Sequence, residues 1–434
     1  LKKTGLRRVI FPKHIAEKRT VRYNIMIYEV FYNDREETHM PNFAKRLDGI
    51  TGSAIRELFK LAAKADIISF GGGNPSPESF DVDMIARFSG DALATEGKRI
   101  LQYGLTEGWT ELRKVMLERI HAQGIKAEMD NLICVTGSMQ GNELLTKAFI
   151  DPGDAIIVES PTFLGALQGF KSMQAKLIPV EMDDDGIIIE ELEEKIKKYR
   201  PKLIYTIPTF QNPTGKTLSL ERRKRMAKLA SEYDVIVMED DPYCDLRYYG
   251  DALPSIKSFD TTENVVLLNS FSKTISPGLR VGTALGRADI LRKMTILKQS
   301  SDVHTASLTQ AIVVRYIKSG ELDKHIVDVC NDYRVRLDCM LDAVRANMPE
   351  EAKCTKPEGG LFVWVTLPKG VDTNEMFKES VKRGVAFIPG ESFFVDPEQG
   401  KNCMRLNFSS CSCEQIDTGM KLLGGLVKET IAAL

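Results

Sequence analysis

A lysine placed just after two serines and seven residues before an arginine sets out the chemistry open to this chain, in the run Asn269-Ser270-Phe271-Ser272-Lys273-Thr274-Ile275-Ser276-Pro277-Gly278-Leu279-Arg280-Val281-Gly282. The lysine amine can form a Schiff base with an aldehyde. The hydroxyls of Ser270 and Ser272 and the Arg280 guanidinium can hold a phosphate dianion. Together they suit a phosphorylated aldehyde cofactor. An isolated S-x-S-K reads as a polar loop with one solvated lysine, so other segments must supply the context.

Val135-Thr136-Gly137-Ser138-Met139-Gln140 supplies part of it. It ends a β-type run and opens a helix that continues through Leu145. A helix N-terminus presents unpaired N–H groups and a partial positive charge, which makes Ser138 and Met139 a phosphate seat. Alone, the segment reads as an ordinary strand–helix turn with Ser138 as N-cap. Beside Ser270, Ser272 and Arg280 the phosphate reading is preferred. Two nucleotide motifs fail. Gly215-Lys216-Thr217 ends like a P-loop, but Phe210 stands where its first glycine belongs. Gly71-Gly72-Gly73 lacks the third glycine of a dinucleotide fingerprint, since Ser76 is there.

These residues need elements to bring them together. From about residue 131, short β-rich runs (Leu132–Thr136, Ala155–Glu159, Leu203–Ile207, Val235–Glu239, Val265–Asn269) alternate with helical stretches such as Leu220–Tyr233. Such alternation predicts a mostly parallel sheet with helices on both faces. Ligands gather at the carboxyl ends of strands in these sheets. Ser138, Asn212, Asp240 and Ser270 each follow one of the runs, so they should meet along one edge. After Ser319 the texture changes to long charged helices and two strand-like runs, Gly359–Val365 and Met404–Phe408. This predicts a large α/β domain over 71–319 and a smaller α+β domain over 320–434.

The bulk composition narrows the function classes. With 434 residues, 43% apolar and 27% charged, the chain is a globular protein larger than one ordinary core. A net charge of −1 provides no basic field for nucleic acid, and no apolar run approaches membrane-spanning length. Eight cysteines are too sparse for a disulfide framework, and the Cys411/Cys413 pair has no partner set for a metal. Reduced thiols in a cytoplasmic protein are expected. Residues 1–24 carry eight Lys/Arg against one acidic residue. Residues 1–40 read as a non-native extension with a native start near Met40, or as a targeting arm.

The Lys273 segment resembles the cofactor-lysine segment of the class I/II aminotransferases, the fold-type I pyridoxal-phosphate (PLP) enzymes. The resemblance extends from about residue 46 to the C-terminus. It is nearest the 2-aminoadipate/kynurenine and aromatic aminotransferase group. It implies an α/β transferase fold, with residues 41–70 joining the small domain. It assigns Asp240 in Glu239-Asp240-Asp241-Pro242-Tyr243, rather than Asp241, to the cofactor's pyridine nitrogen. Tyr243 and Asn212 fall to its phenolic oxygen, and Phe163 to ring stacking where most relatives carry tyrosine. Without the resemblance, the acidic run reads as a solvated loop and Phe163 as core packing. Arg405 in Met404-Arg405-Leu406-Asn407-Phe408 corresponds to the clamp on the substrate α-carboxylate, a task that suits a planar guanidinium fork. Gly73 corresponds to the glycine turn over the substrate. Tyr103 corresponds to a tyrosine that reaches the phosphate of the neighbouring subunit, which implies a homodimer with shared active sites. Arg56 corresponds to a position that meets a distal substrate carboxylate, and reads equally well as an exposed helix arginine.

The activity implied is transfer of an amino group from an L-amino acid to a 2-oxo acid such as 2-oxoglutarate by a ping-pong route. Lys273 would carry the proton as base and then as acid. A PLP-dependent β-lyase on cysteine conjugates would use the same residues. A regulator with an aminotransferase-like domain needs a DNA-binding domain upstream, for which the leading residues are too few.

Overall fold

The computed structural model describes residues 43–47 and 67–434. The extension 1–40, most of the 41–70 segment and Arg56 therefore lie outside the described residues. Lys45–Leu47 form a short 3-10 turn.

The apolar runs become strands because nearly every side chain in them has a buried place on one face or the other. In chain order these are β1 (Ile68–Ser69), β2 (Leu132–Val135), β3 (Ala155–Ser160), β4 (Lys176–Asp183), β5 (Gly186–Ile187), β6 (Leu203–Thr206), β7 (Ile236–Asp240), β8 (Val265–Ser270) and β9 (Gly282–Leu285). Strands β2–β9 build one sheet in the order β2-β9-β8-β7-β6-β3-β4-β5. The β3–β4, β3–β6, β6–β7 and β7–β8 pairs are parallel. β2 and β8 both run antiparallel to β9 and so point the same way. The predicted strand runs are present, each shifted at its ends by a residue or so, and the helix Leu220–Tyr233 has the predicted bounds.

The core that each side chain joins alternates along the strands with period two. Ile156, Val158, Leu203, Tyr205, Ile236 and Met238 join one core. Ile157, Ile204, Val237 and Val265 join another on the opposite face. Helices Ser138–Phe149 and Leu164–Ser172 cover the first face, and Ile189–Tyr199 and Leu220–Tyr233 the second. A sheet with both faces covered needs apolar residues at both parities, which is why its strands show no polar alternation.

Toward the C-terminus lie β10 (Lys353–Cys354), β11 (Phe362–Thr366), β12 (Val385–Ala386), β13 (Ile388–Pro389) and β14 (Cys403–Asn407). They form an antiparallel sheet β10-β11-β14-β13, while β12 pairs in parallel with β1. Helix Glu321–Asn347 packs on helix Cys413–Ala432 beside it.

Ser138 is the first residue of its helix, Gly137 is the cap, and the helix runs on to Phe149. One expectation is corrected. The expectation of reduced thiols throughout fails at Cys339 and Cys413, which form a disulfide between the last two long helices with Cα atoms 5.5 Å apart. Sequence spacing could not show this, because the partners are 74 residues apart and meet only when the helices pack. Among the described residues no helix is long and apolar enough to cross a membrane.

Candidate active site

The carboxyl ends of β2, β3, β6, β7 and β8 open onto a cavity of about 320 Å³. Gly73, Ser138, Met139, Phe163, Asn212, Asp240, Tyr243, Ser270, Ser272, Lys273, Arg280 and Arg405 line it. Asp241 does not line it. The sheet topology performs the convergence: β7 and β8 are neighbours, so Asp240 and Ser270 end adjacent strands.

At one end Ser270 and Ser272 share a hydrogen bond of 2.9 Å, and the Ser272 N–H donates to Ser270 Oγ at 3.2 Å. Arg280 takes left-handed backbone angles (φ 54°), rare for a residue with a Cβ, and this turns its side chain back over the serines. Its guanidinium donates to Ser272 Oγ at 3.3 Å and to the Thr136 carbonyl at 2.9 Å. Gly137 leaves the room for it. A Cβ there would sit 2.4 Å from Arg280 Nη2, and the φ of +79° also favours glycine. The result is a cup of hydroxyls, one guanidinium and a helix N-terminus, fitted to a dianion.

Deeper in the cavity, Asp240 is almost wholly buried. Its Oδ2 accepts from Asn142 Nδ2 and from the Tyr205 hydroxyl, both at 2.9 Å. Among the described residues its Oδ1 has no hydrogen-bond partner. Burial pushes the carboxyl above its ordinary range, and the Asn142 and Tyr205 bonds oppose that push. One oxygen is anchored and the other is left free beside the cavity, ready for a cationic N–H. Tyr243 follows three residues later; its hydroxyl accepts from Asn212 Nδ2 at 3.4 Å, and burial raises it well above the ordinary phenol.

Lys273 Nζ donates to the Gly73 carbonyl at 2.8 Å and lies 5.8 Å from the centre of the Tyr243 ring. Its amine is pulled down to about 8 by burial, then by repulsion from Arg405 and Arg280, with Asp240 pulling the other way.

At the far end stands Arg405, mid-strand in β14 between β11 and β13. It donates to Asn212 Oδ1 at 2.8 Å and to the carbonyls of Gly71 and Gly72 at 3.0 and 3.2 Å. Phe362 and Phe393 flank the guanidinium, with ring centres 4.2 and 5.1 Å from its carbon. Burial brings the group down to about 10. Among the described residues no carboxylate pairs with it, and its hydrogen-bond acceptors there are all neutral.

The profile of the family described as aminotransferase class I and II matches residues 65–423 of this chain. The chain belongs to that family. As a member it is a PLP-dependent transaminase of the fold-type I architecture. The chain is 42% identical to aromatic-amino-acid aminotransferase 1 of Thermococcus litoralis, over 89% of this chain and 94% of that one. It is 37% identical to the 2-aminoadipate transaminase of Thermus thermophilus, over 90% and 97%. The crystal structure of Pyrococcus horikoshii kynurenine aminotransferase in complex with PMP superposes with a TM-score of 0.86. That pair is 41% identical, covering 93% of this chain and 99% of the other.

Of the described residues expected at the aminotransferase's site, Tyr103 does not line the cavity. Tyr103 is 79% exposed, with its ring set edge-on to His304 at 5.9 Å. Arg56 is outside the described residues. Sequence reasoning also missed working parts. Asn142 lies one helical turn beyond Ser138, and that i+4 spacing was a usable signal. Tyr205 looked like an ordinary aromatic within an apolar strand. Phe362 sits two residues before Trp364, the cross-strand partner of Arg405, and so on the same face. Buried Glu159 was missed as well. It accepts from the Thr206 hydroxyl and from Gln211 Nε2, while Gln211 also donates to the Pro161 carbonyl. This ties together the loops that carry Phe163 and Asn212.

Proposed function

We propose that the cavity seats pyridoxal 5′-phosphate and an α-amino acid, and that the enzyme passes the amino group to a 2-oxo acid such as 2-oxoglutarate. The observation that carries this reading is one cavity lined by Lys273, by Asp240, whose buried Oδ1 has no hydrogen-bond partner among the described residues, and by Arg405, which no carboxylate among them pairs with. The donor set fits the cofactor from end to end. Ser138, Met139, Ser270, Ser272 and Arg280 would hold the phosphate, Phe163 would lie against the ring, and Asn212 and Tyr243 would meet the phenolic oxygen. Asp240 would keep the pyridine nitrogen protonated.

When bound, the cofactor supplies an electrophilic aldehyde carbon and a cationic ring that accepts electrons. The chain's own residues do the rest. Lys273 Nζ would act as the base that takes the proton from the substrate Cα and then as the acid that gives it back. An amine near 8 suits both directions, because general acid–base groups work best with a pKa close to the working pH. Arg405 binds the α-carboxylate through its planar fork and orients the Cα–H bond toward Lys273. Gly73 closes over the substrate, and its missing side chain keeps the approach to Arg405 clear.

Names borne by relatives support aromatic amino acids and 2-aminoadipate as donors. Arg56 would meet the second carboxylate of the latter. We also propose a homodimer in which Tyr103 completes the partner's phosphate site. Exposed Leu101, Tyr103, Leu105 and Val303 support it, since such apolar surface on a monomer marks an interaction face. Residues 71–319 would form the cofactor-bearing unit, and 320–434 with the 41–70 segment the unit that carries Arg405. A donor screen with 2-oxoglutarate tests the reading. Glutamate formation from aromatic donors or 2-aminoadipate is expected. Release of ammonia and pyruvate from cysteine conjugates, without glutamate from any donor, would overturn it.

A further inference from the structure

Behind the phosphate cup lies a fully buried lysine. Lys298, on helix Ala288–Ser301, has no exposed surface, and its Nζ stands 2.9 Å from both oxygens of Asp302. A buried ammonium needs such a partner, because its desolvation costs several kcal/mol. The carboxylate does more than neutralise it. Asp302 Oδ2 also accepts from Gln140 Nε2 at 2.7 Å and from the Thr136 hydroxyl at 2.8 Å. Gln140 Oε1 accepts from Lys298 Nζ at 2.6 Å and from the Thr136 N–H at 2.8 Å. Those hydrogen bonds hold Asp302 below its ordinary range against the opposing effect of burial.

All of this converges on one residue. The amide and hydroxyl of Thr136 are both held by the network, which anchors the peptide before its Cα and its side chain, and its carbonyl, in the next peptide plane, accepts from Arg280 Nη2 at 2.9 Å. Thr305, packed against the Thr136 hydroxyl at 3.0 Å, belongs to the same loop as Asp302 and as His304, the ring that touches Tyr103. The network therefore reaches from the phosphate cup to the exposed face that carries Tyr103.

We infer that Lys298 and Asp302 are positioning residues for the phosphate end of the cofactor, acting through Gln140 and Thr136 on the aim of Arg280. The inference rests on the reading that Arg280 and the two serines hold that phosphate. Neither Lys298 nor Asp302 lines the cavity. Their effect should therefore appear as a change in how the site discriminates phosphate, not as a loss of a direct contact.

The experiment compares full-length protein stripped of cofactor, as wild type and as Asp302→Asn, Lys298→Met, Thr136→Val and Arg280→Ala. Each is titrated with pyridoxal 5′-phosphate and with pyridoxal, which lacks the phosphate. Bound-cofactor absorbance is followed, and the melting temperature of the stripped protein is recorded. The three network variants should weaken pyridoxal phosphate about tenfold while changing pyridoxal by about twofold or less, the scale of one lost charged hydrogen bond. Thr136→Val keeps the shape of the side chain and so tests the idea even where removal of a buried charge prevents folding. Equal weakening of both ligands would assign the network to the fold alone and overturn the inference. Selective loss in Arg280→Ala but in none of the network variants would overturn it while leaving the phosphate cup intact. Failure of Arg280→Ala itself to discriminate the two ligands would remove the cup, and the inference with it.

Discussion

The depressed amine of Lys273 has a kinetic consequence that can be worked out in advance. Only the neutral amine attacks an aldehyde. At its ordinary value of 10.5 about one lysine in three thousand would be neutral at pH 7, whereas at about 8 roughly one in ten is. The site therefore raises the reactive fraction by a factor on the order of a few hundred at neutral pH, equivalent to about 3 kcal/mol. Part of the side chain faces the open cavity, so solvent screening should trim this. Protein stripped of cofactor, mixed rapidly with excess pyridoxal and followed by visible absorbance, reads the reactive fraction directly. The capture rate should rise about tenfold between pH 7 and pH 9 and then level off, with a midpoint near 8. Lys273→Ala should show no capture at this site. Arg280→Ala should move the midpoint upward, since one of the two cations that repel the ammonium is gone. Pyridoxal is the right probe because it has no phosphate for Arg280 to hold. A midpoint at or above pH 10, or a rate independent of pH, would refute the account of burial and repulsion.

Asp240→Asn should slow proton transfer by about 3 kcal/mol or more, as loss of a preorganised charge partner does, while Asp241→Ala should retain most activity; single-turnover rates separate the two. Tyr205→Phe removes one of the two bonds anchoring Asp240 and should cost about 1–3 kcal/mol in the same step, measured the same way. Arg405→Lys should weaken every donor, because an ammonium cannot reproduce the two-bond fork. Arg56→Ala should raise KM only for donors with a second carboxylate, by roughly tenfold or more. Sedimentation at assay concentration should find a dimer, and a fully active monomer would end the assignment of Tyr103 to the partner's site.

That Ser138, Asp240, Ser270 and Lys273 would line one cavity was legible because these residues sit in short, locally coded segments. A serine at a helix start, an aspartate closing a strand and a lysine in a turn are each fixed by neighbours within a few positions, and parallel strand order then brings them to one edge. The far end was less so. Arg405 was visible through its flanking residues, but Phe362 and Phe393 matter only through tertiary contact across the small sheet. Lys298 and Asp302 are an i,i+4 pair that reads like any solvated helix pair, and only the packed structure reveals a fully buried ammonium. Strand β9 escaped notice because its four residues follow the Arg280 turn without a break. The Cys339–Cys413 bond joins helices whose docking no local pattern encodes.

Arg405 also bears on how the protein acquires and keeps its shape. The chain must bring a guanidinium into the middle of a buried strand where no counter-charge among the described residues meets it. Any small carboxylate that enters the cavity supplies that charge to the native form and to no other. By mass action such a molecule stabilises the fold by RT ln(1 + [L]/Kd), about 2.7 kcal/mol at a hundred times Kd. Simple 2-oxo acids and acetate should then behave as chemical chaperones, raising the yield of refolded protein even where they are poor substrates.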